Sequence, residues 1–176
     1  MTSRCAKPIL ALLLVLALGL GFAARAIAAP AAGLNWEVHG TGEGGVSTQT
    51  TLLGVVVVTG ASSTGPAMPQ HVGNATYRVD LGPAEPFAGN GAGGFCYMVR
   101  GTGHIDAADG STINFNTVGT LCNEGTVNST FHYNGTYRIT GGDGRFTTGV
   151  VGGGGSLTVT FGSPNFFKID GTITGI

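Results

Sequence analysis

Tyr137-Arg138-Ile139-Thr140-Gly141-Gly142-Asp143-Gly144-Arg145-Phe146 is the stretch that decides the fold. Apolar and polar residues alternate up to Thr140. Three glycines and an aspartate follow, and then an arginine and an aromatic residue. That order predicts a strand, a glycine-built turn and a new strand. The theme recurs along the chain. Thirty-three glycines punctuate a sequence with only eight basic and nine acidic residues. Between them run short segments of period two, with no helical spacing. The reading is therefore all-β, with strands near 34–39, 51–59, 75–81, 95–105, 111–121, 130–133, 136–140, 145–151, 156–161 and 166–174. Segments 60–69 and 82–94 read as long loops, Asn134-Gly135 as a two-residue hairpin, and 152–155 as a turn or a sharp corner. So many short strands leave an edge problem, and closure solves it. A single antiparallel eight-stranded barrel is the expected architecture, its interior filled by side chains or holding one small ligand.

The N-terminal segment reads as an export signal. Arg4 and Lys7 precede an almost wholly apolar run from Ile9 to Phe22, and Ala26-Ile27-Ala28 supplies the small residues of a cleavage site. Residues 1–28 are thus expected to be removed and 29–176 to form one domain, secreted or periplasmic. The apolar run is shorter than the ~20 residues of a spanning helix, so no stable membrane insertion is expected after cleavage. The basic residues that remain are Arg78, Arg100, Arg138, Arg145 and Lys168, scattered among nine acidic ones. A nucleic-acid surface needs clustered cations, so that partner class is set aside.

One hairpin can be derived in full. Ala108-Asp109-Gly110 fits a three-residue turn, with Gly110 at the positive-φ position. Pairing centred on Asp109 places Ile105 opposite Ile113, Gly103 opposite Phe115 and Tyr97 opposite Leu121. Cys96 then falls opposite Cys122. The even pair in an exported chain reads as a disulfide on independent grounds. The same register gathers Phe95, Tyr97, Val99, Ile105, Ile113, Phe115 and Leu121 on one side, as the core face.

Chemistry-bearing patterns are sparse. Two GxGxxG matches, at Gly40, Gly42 and Gly45 and at Gly89, Gly91 and Gly94, open no helix, so dinucleotide binding is excluded. The four histidines stand at no metal-ligand spacing, and neither a metal nor an organic cofactor is expected. Glu37 with His39, and Arg78 with Asp80, are same-face pairs. Each would do acid–base work if its face lined a cavity, and each would be a solvated face otherwise. Trp36, Tyr77, Phe95, Tyr97, Phe115 and Tyr137 read as core, with a subset available to line a ligand cavity.

The Ile139 to Phe146 segment resembles the I-x-G-G-x-G-x-F signature of allene oxide cyclases and dirigent proteins. The Gly101-Thr102-Gly103 … Ala108-Asp109-Gly110 hairpin before it is similar to that of secreted bacterial members. The resemblance covers about fifty residues and implies an eight-stranded barrel whose apolar lumen steers a small molecule without a cofactor. It carries no catalytic residue onto this chain. Three functions follow as expectations: a module binding an apolar small molecule in the lumen, a cofactor-free cyclase, isomerase or dirigent-like guide, and a surface protein with a solid barrel. Oligomerisation is open under each.

Overall fold

The computed structural model describes residues 33–53, 56–83, 85–89, 94–123, 125, 130–147 and 151–175. The expected signal segment, 1–28, lies outside them. Nine strands are present among the described residues: β1 (Leu34–Thr50), β2 (Val56–Pro69), β3 (Ala75–Leu81), β4 (Glu85–Gly89), β5 (Phe95–Ala107), β6 (Thr112–Asn123), β7 (Phe131–Asp143), β8 (Gly152–Phe161) and β9 (Asn165–Thr174). The strand order is β3-β2-β1-β9-β8-β7-β6-β5-β4, all pairs are antiparallel, and a β3–β5 pairing closes the sheet. The barrel has eight staves, because β3 and β4 share one edge of β5. Strand β3 covers its Gly101–Ala107 half, and β4 its Phe95–Met98 half. The stave breaks at Gly82-Pro83, where proline has no N–H to give a ladder. Gly82 N still donates to the Arg100 carbonyl at 2.7 Å.

The β5–β6 pairing runs from Cys96↔Cys122 to Asp106↔Thr112 without a shift, in the register derived from the turn. Gly110 has φ 83 there, and its N–H donates to the Ala107 carbonyl at 2.9 Å. The Cys96–Cys122 disulfide is formed.

The glycine-rich readings fare differently. Residues 60–69 belong to strand β2, Asn134-Gly135 sits inside β7 opposite Thr120 and Gly119, and 152–155 is the start of β8. In the opening decapeptide, Gly141 to Asp143 continue β7 past a bulge opposite Asn114/Phe115. A single 3-10 turn, Gly144–Phe146, then ends the strand, and no new strand begins at Arg145. The reason is visible in space. Where β7 ends, Arg145 ties three segments together: its Nη2 donates to the Val72 carbonyl at 2.7 Å, its Nε lies 3.3 Å from Asp109, and its backbone N–H donates to Ser111 Oγ at 3.1 Å. Phe146 is buried there, so the signature stretch is anchored to the core where β7 ends.

Alternation fills the interior. Trp36, Val38, Tyr77, Ile105, Ile113, Phe115, Leu121, Tyr133, Leu157, Phe167, Ile169 and Ile173 are essentially inaccessible. Rings of this size fit inside so narrow a barrel because inward-pointing glycines face them. A Cβ on Gly40 would lie 2.8 Å from Tyr77 Cε1, and one on Gly171 would lie 2.8 Å from Tyr137 Oη. Tyr77 also stacks on Phe167, with centroids 4.1 Å apart.

Candidate functional site

The interior is the first place to look, and it is occupied by protein. Of the residues expected to line a ligand cavity, Trp36, Tyr77, Tyr97, Phe115 and Tyr137 are all buried in the core, whereas Phe95 is 56% exposed. Phe95 begins β5, beyond the part of the strand that faces the core.

Two of the interior tyrosines satisfy their hydroxyls internally. Thr117 Oγ1 donates to the Thr136 carbonyl at 2.8 Å and stands 2.6 Å from Tyr133 Oη, so the phenol is the donor to it. Tyr77 Oη is 2.7 Å from Ser63 Oγ, which accepts from the buried Asn165 Nδ2 at 3.1 Å. Trp36 Nε1 and Tyr137 Oη, by contrast, are buried without a protein partner. The two rings lie on one cross-strand row, Trp36–Gly171–Gly155–Tyr137. The glycines between them carry no side chains, and the rings lean together edge-to-face at 6.0 Å. Burial, with a smaller contribution from the Asp170 charge, pushes the Tyr137 hydroxyl up to about 12.

An unpaired buried hydroxyl is a cost to the fold. Tyr137→Phe is therefore expected to leave stability unchanged or raise it by up to about 1 kcal/mol, and Tyr133→Phe to lower it by about 1 kcal/mol. Denaturant midpoints of the two variants check this. A loss of stability in Tyr137→Phe would mean that an acceptor inside the barrel meets the phenol.

The polar same-face pairs point outward. His39 Nε2 is 2.9 Å from Glu37 Oε1, and the β1–β9 pairing brings in a third member, Lys168, whose Nζ lies 3.1 Å from the same oxygen. The Glu37 carboxyl is lowered first by its bond to Lys168 and then by His39, and Lys168 is raised by Glu37. All three groups are solvent-accessible, so they hold one another at the surface. Beside them is a groove of about 450 Å³ across β2, β1, β9 and β8, lined in part by His39, Pro66, Met68, Phe166 and Lys168. Met68 is 76% and Phe166 56% exposed, two apolar side chains facing water.

Arg78 and Asp80 form a two-point pair, Nε to Oδ2 at 2.7 Å and Nη2 to Oδ1 at 3.2 Å. Asp80 borders a second groove, of about 660 Å³, on the opposite wall over β3, β5, β6 and β7. Both sequence pairs therefore assemble as spaced, each beside an outer groove. The reading of residues in isolation missed Lys168, Met68 and Phe166, because only the β1–β9 and β1–β2 registers bring them to His39. Among the described residues, no group of three or more His, Cys, Asp or Glu side chains is placed to hold a metal ion. No helix among them is long and apolar enough to cross a membrane. No protein-family model, curated protein or solved structure matches the chain.

Proposed function

We propose that this chain is an exported, disulfide-stapled barrel that binds a small, mainly apolar molecule, and that it does so in the outer groove beside His39 with the lumen serving as scaffold. The observation that carries the reading is the exposure of Met68 and Phe166, 76% and 56%, in a groove whose volume suits a small ligand. Lys168, His39 and the Thr158 and Thr160 positions at the rim offer hydrogen bonds to one polar end of the guest. The disulfide supports export, since such bonds persist in oxidising compartments. The eight-stranded antiparallel barrel supports the allene oxide cyclase and dirigent-like grouping.

Two other readings have an observation in their favour. A ligand in the lumen would supply the acceptor that Trp36 Nε1 and Tyr137 Oη lack. A cofactor-free cyclase or isomerase would use His39 as a base oriented by Glu37 at 2.9 Å.

The test is titration of the secreted, oxidised protein with the apolar fluorophore N-phenyl-1-naphthylamine, together with mass spectrometry of small molecules that co-purify. Met68→Ser and Phe166→Ser are each expected to weaken binding about ten-fold, the effect of losing one well-buried apolar contact. Trp36→Phe and Tyr137→Phe are expected to leave it unchanged. The opposite pattern would place the guest in the lumen, and no binding at all would leave the solid-barrel surface protein as the reading.

A further inference from the structure

Five cationic side chains are described, and three are committed to ion pairs: Arg78 to Asp80, Arg145 to Asp109, and Lys168 to Glu37 and Asp170. Arg100 and Arg138 have no acidic partner among the described residues. Both line the same groove of about 660 Å³, on the wall opposite the apolar one. The coincidence follows from register. Arg100 stands opposite Val118, Val118 opposite Thr136, and Arg138 is two residues further along β7. Two strand spacings and two residues of rise put their Cα atoms about 12 Å apart.

Between the two guanidinium groups the groove carries no charge and offers a few hydrogen-bonding side chains on a largely apolar lining. Thr102 and Asn116 face each other across β5 and β6, and Val118, 38% exposed, adds an apolar surface. Asp80 lies on the same row as Thr102, so the groove also holds one carboxylate, already paired with Arg78. Paired arginines read carboxylates through two parallel hydrogen bonds. Hydroxyl and amide groups between them fit a polyhydroxylated body, and an exposed valine fits the C–H face of a sugar ring.

We infer that this groove is a second binding site, for an acidic oligosaccharide with carboxylates spaced apart along the chain. Spacing is what separates this guest from a nucleic acid. A nucleic-acid strand carries a charged phosphate on every nucleotide, so a further charge would fall between two cations this far apart, over the uncharged Asn116 and Val118. An oligosaccharide with an acid on alternate sugars places neutral hydroxyls there instead. A single small anion would leave most of the groove empty. The inference is independent of the apolar site, which lies over β2, β1, β9 and β8 and reaches β3 only at Ala75, the end of the strand away from Asp80.

The experiment is isothermal titration of the full secreted chain with a hyaluronan-type tetrasaccharide, with cellotetraose and a single-stranded DNA 12-mer as the other arms. The acidic tetrasaccharide is expected to bind, more weakly as salt is raised, and cellotetraose at least about ten-fold less well. Arg100→Gln and Arg138→Gln should each weaken the acidic ligand about ten-fold, the loss of one charged hydrogen-bonding partner. Arg→Lys at either position should give an intermediate loss, because charge stays while the fork is gone. Circular dichroism and the disulfide assay check that each variant is folded; both side chains are exposed. No binding of the acidic tetrasaccharide, binding indifferent to both Gln variants, or tighter binding of the DNA would overturn the site.

Discussion

Gly103→Ala is expected to lower stability by about 3 kcal/mol, the upper part of the range for overpacking a filled core. A Cβ at this position would stand 2.6 Å from Cε2 of Phe115 and 2.7 Å from the Arg78 carbonyl oxygen. Neither neighbour has room to withdraw. Phe115 is 1% exposed and sits edge-on to Tyr137 at 6.1 Å, and the Arg78 carbonyl belongs to the β3 backbone that pairs with β5 to close the barrel. Gly45→Ala is the control, since nothing lies within 4 Å of its Cβ position. That substitution should change stability by less than about 0.5 kcal/mol. Trimming the ring with Phe115→Leu should make the two changes less than additive. Rescue would be partial, because the carbonyl clash persists. Urea denaturation of the four variants reads all of this. A Gly103→Ala protein as stable as the parent would show that β5 does not lie as closely under the Phe115 ring as described.

Removing the disulfide should cost slightly more. Cys96 and Cys122 are 26 residues apart in sequence, and a closed loop of that length restrains the unfolded chain by about 3.5 kcal/mol. Their Cα atoms are 4.1 Å apart, on directly opposed positions of a pair that forms with or without the bond. The link pins the open end of the hairpin, the end furthest from the Ala108-Asp109-Gly110 turn. It also lies on the β5 segment that β4 covers, where Ala88 pairs with Cys96. The double variant Cys96→Ala/Cys122→Ala should show a lower urea midpoint with the stability loss stated, and the parent protein should match it once reduced with dithiothreitol. Equal stability of the oxidised and reduced forms would mean that the unfolded chain keeps this hairpin and that the link removes no freedom.

The two predictions rest on structure that was legible to different degrees. The β5–β6 register follows from three turn residues and a period of two, both local properties, and eleven pairs obey it without a slip. The glycines of β2, β7 and β8 misled for an equally physical reason. Local reasoning takes a glycine as a turn, because it sees only conformational freedom. Gly135 and Gly155 are needed for what lies across from them: a Cβ on Gly135 would run into the Tyr133 phenol, and one on Gly155 into the Asp170 carbonyl. The first neighbour stands two positions away on the same strand, and the second fifteen positions away across the β8–β9 pairing; neither contact is visible in a glycine's own conformational freedom.

The candidate sites divide the same way. Residues two apart on one strand share a face, so Glu37 with His39 and Arg78 with Asp80 are pairs in the sequence before any fold is known. Lys168 joins the first pair only through β9, and Arg100 meets Arg138 only across β6.

From its residues alone this chain determines an all-β barrel, the turn and register of its central hairpin and the partnership of Cys96 with Cys122, because alternation and turn chemistry act between near neighbours. Closure through β3–β5 and β1–β9, a lumen taken up by aromatic rings over bare glycines, and two grooves on opposite outer walls were decided by the tertiary structure. Those features depend on which side chains meet across strands distant in sequence, and volume and charge at such meetings are properties of the assembled barrel.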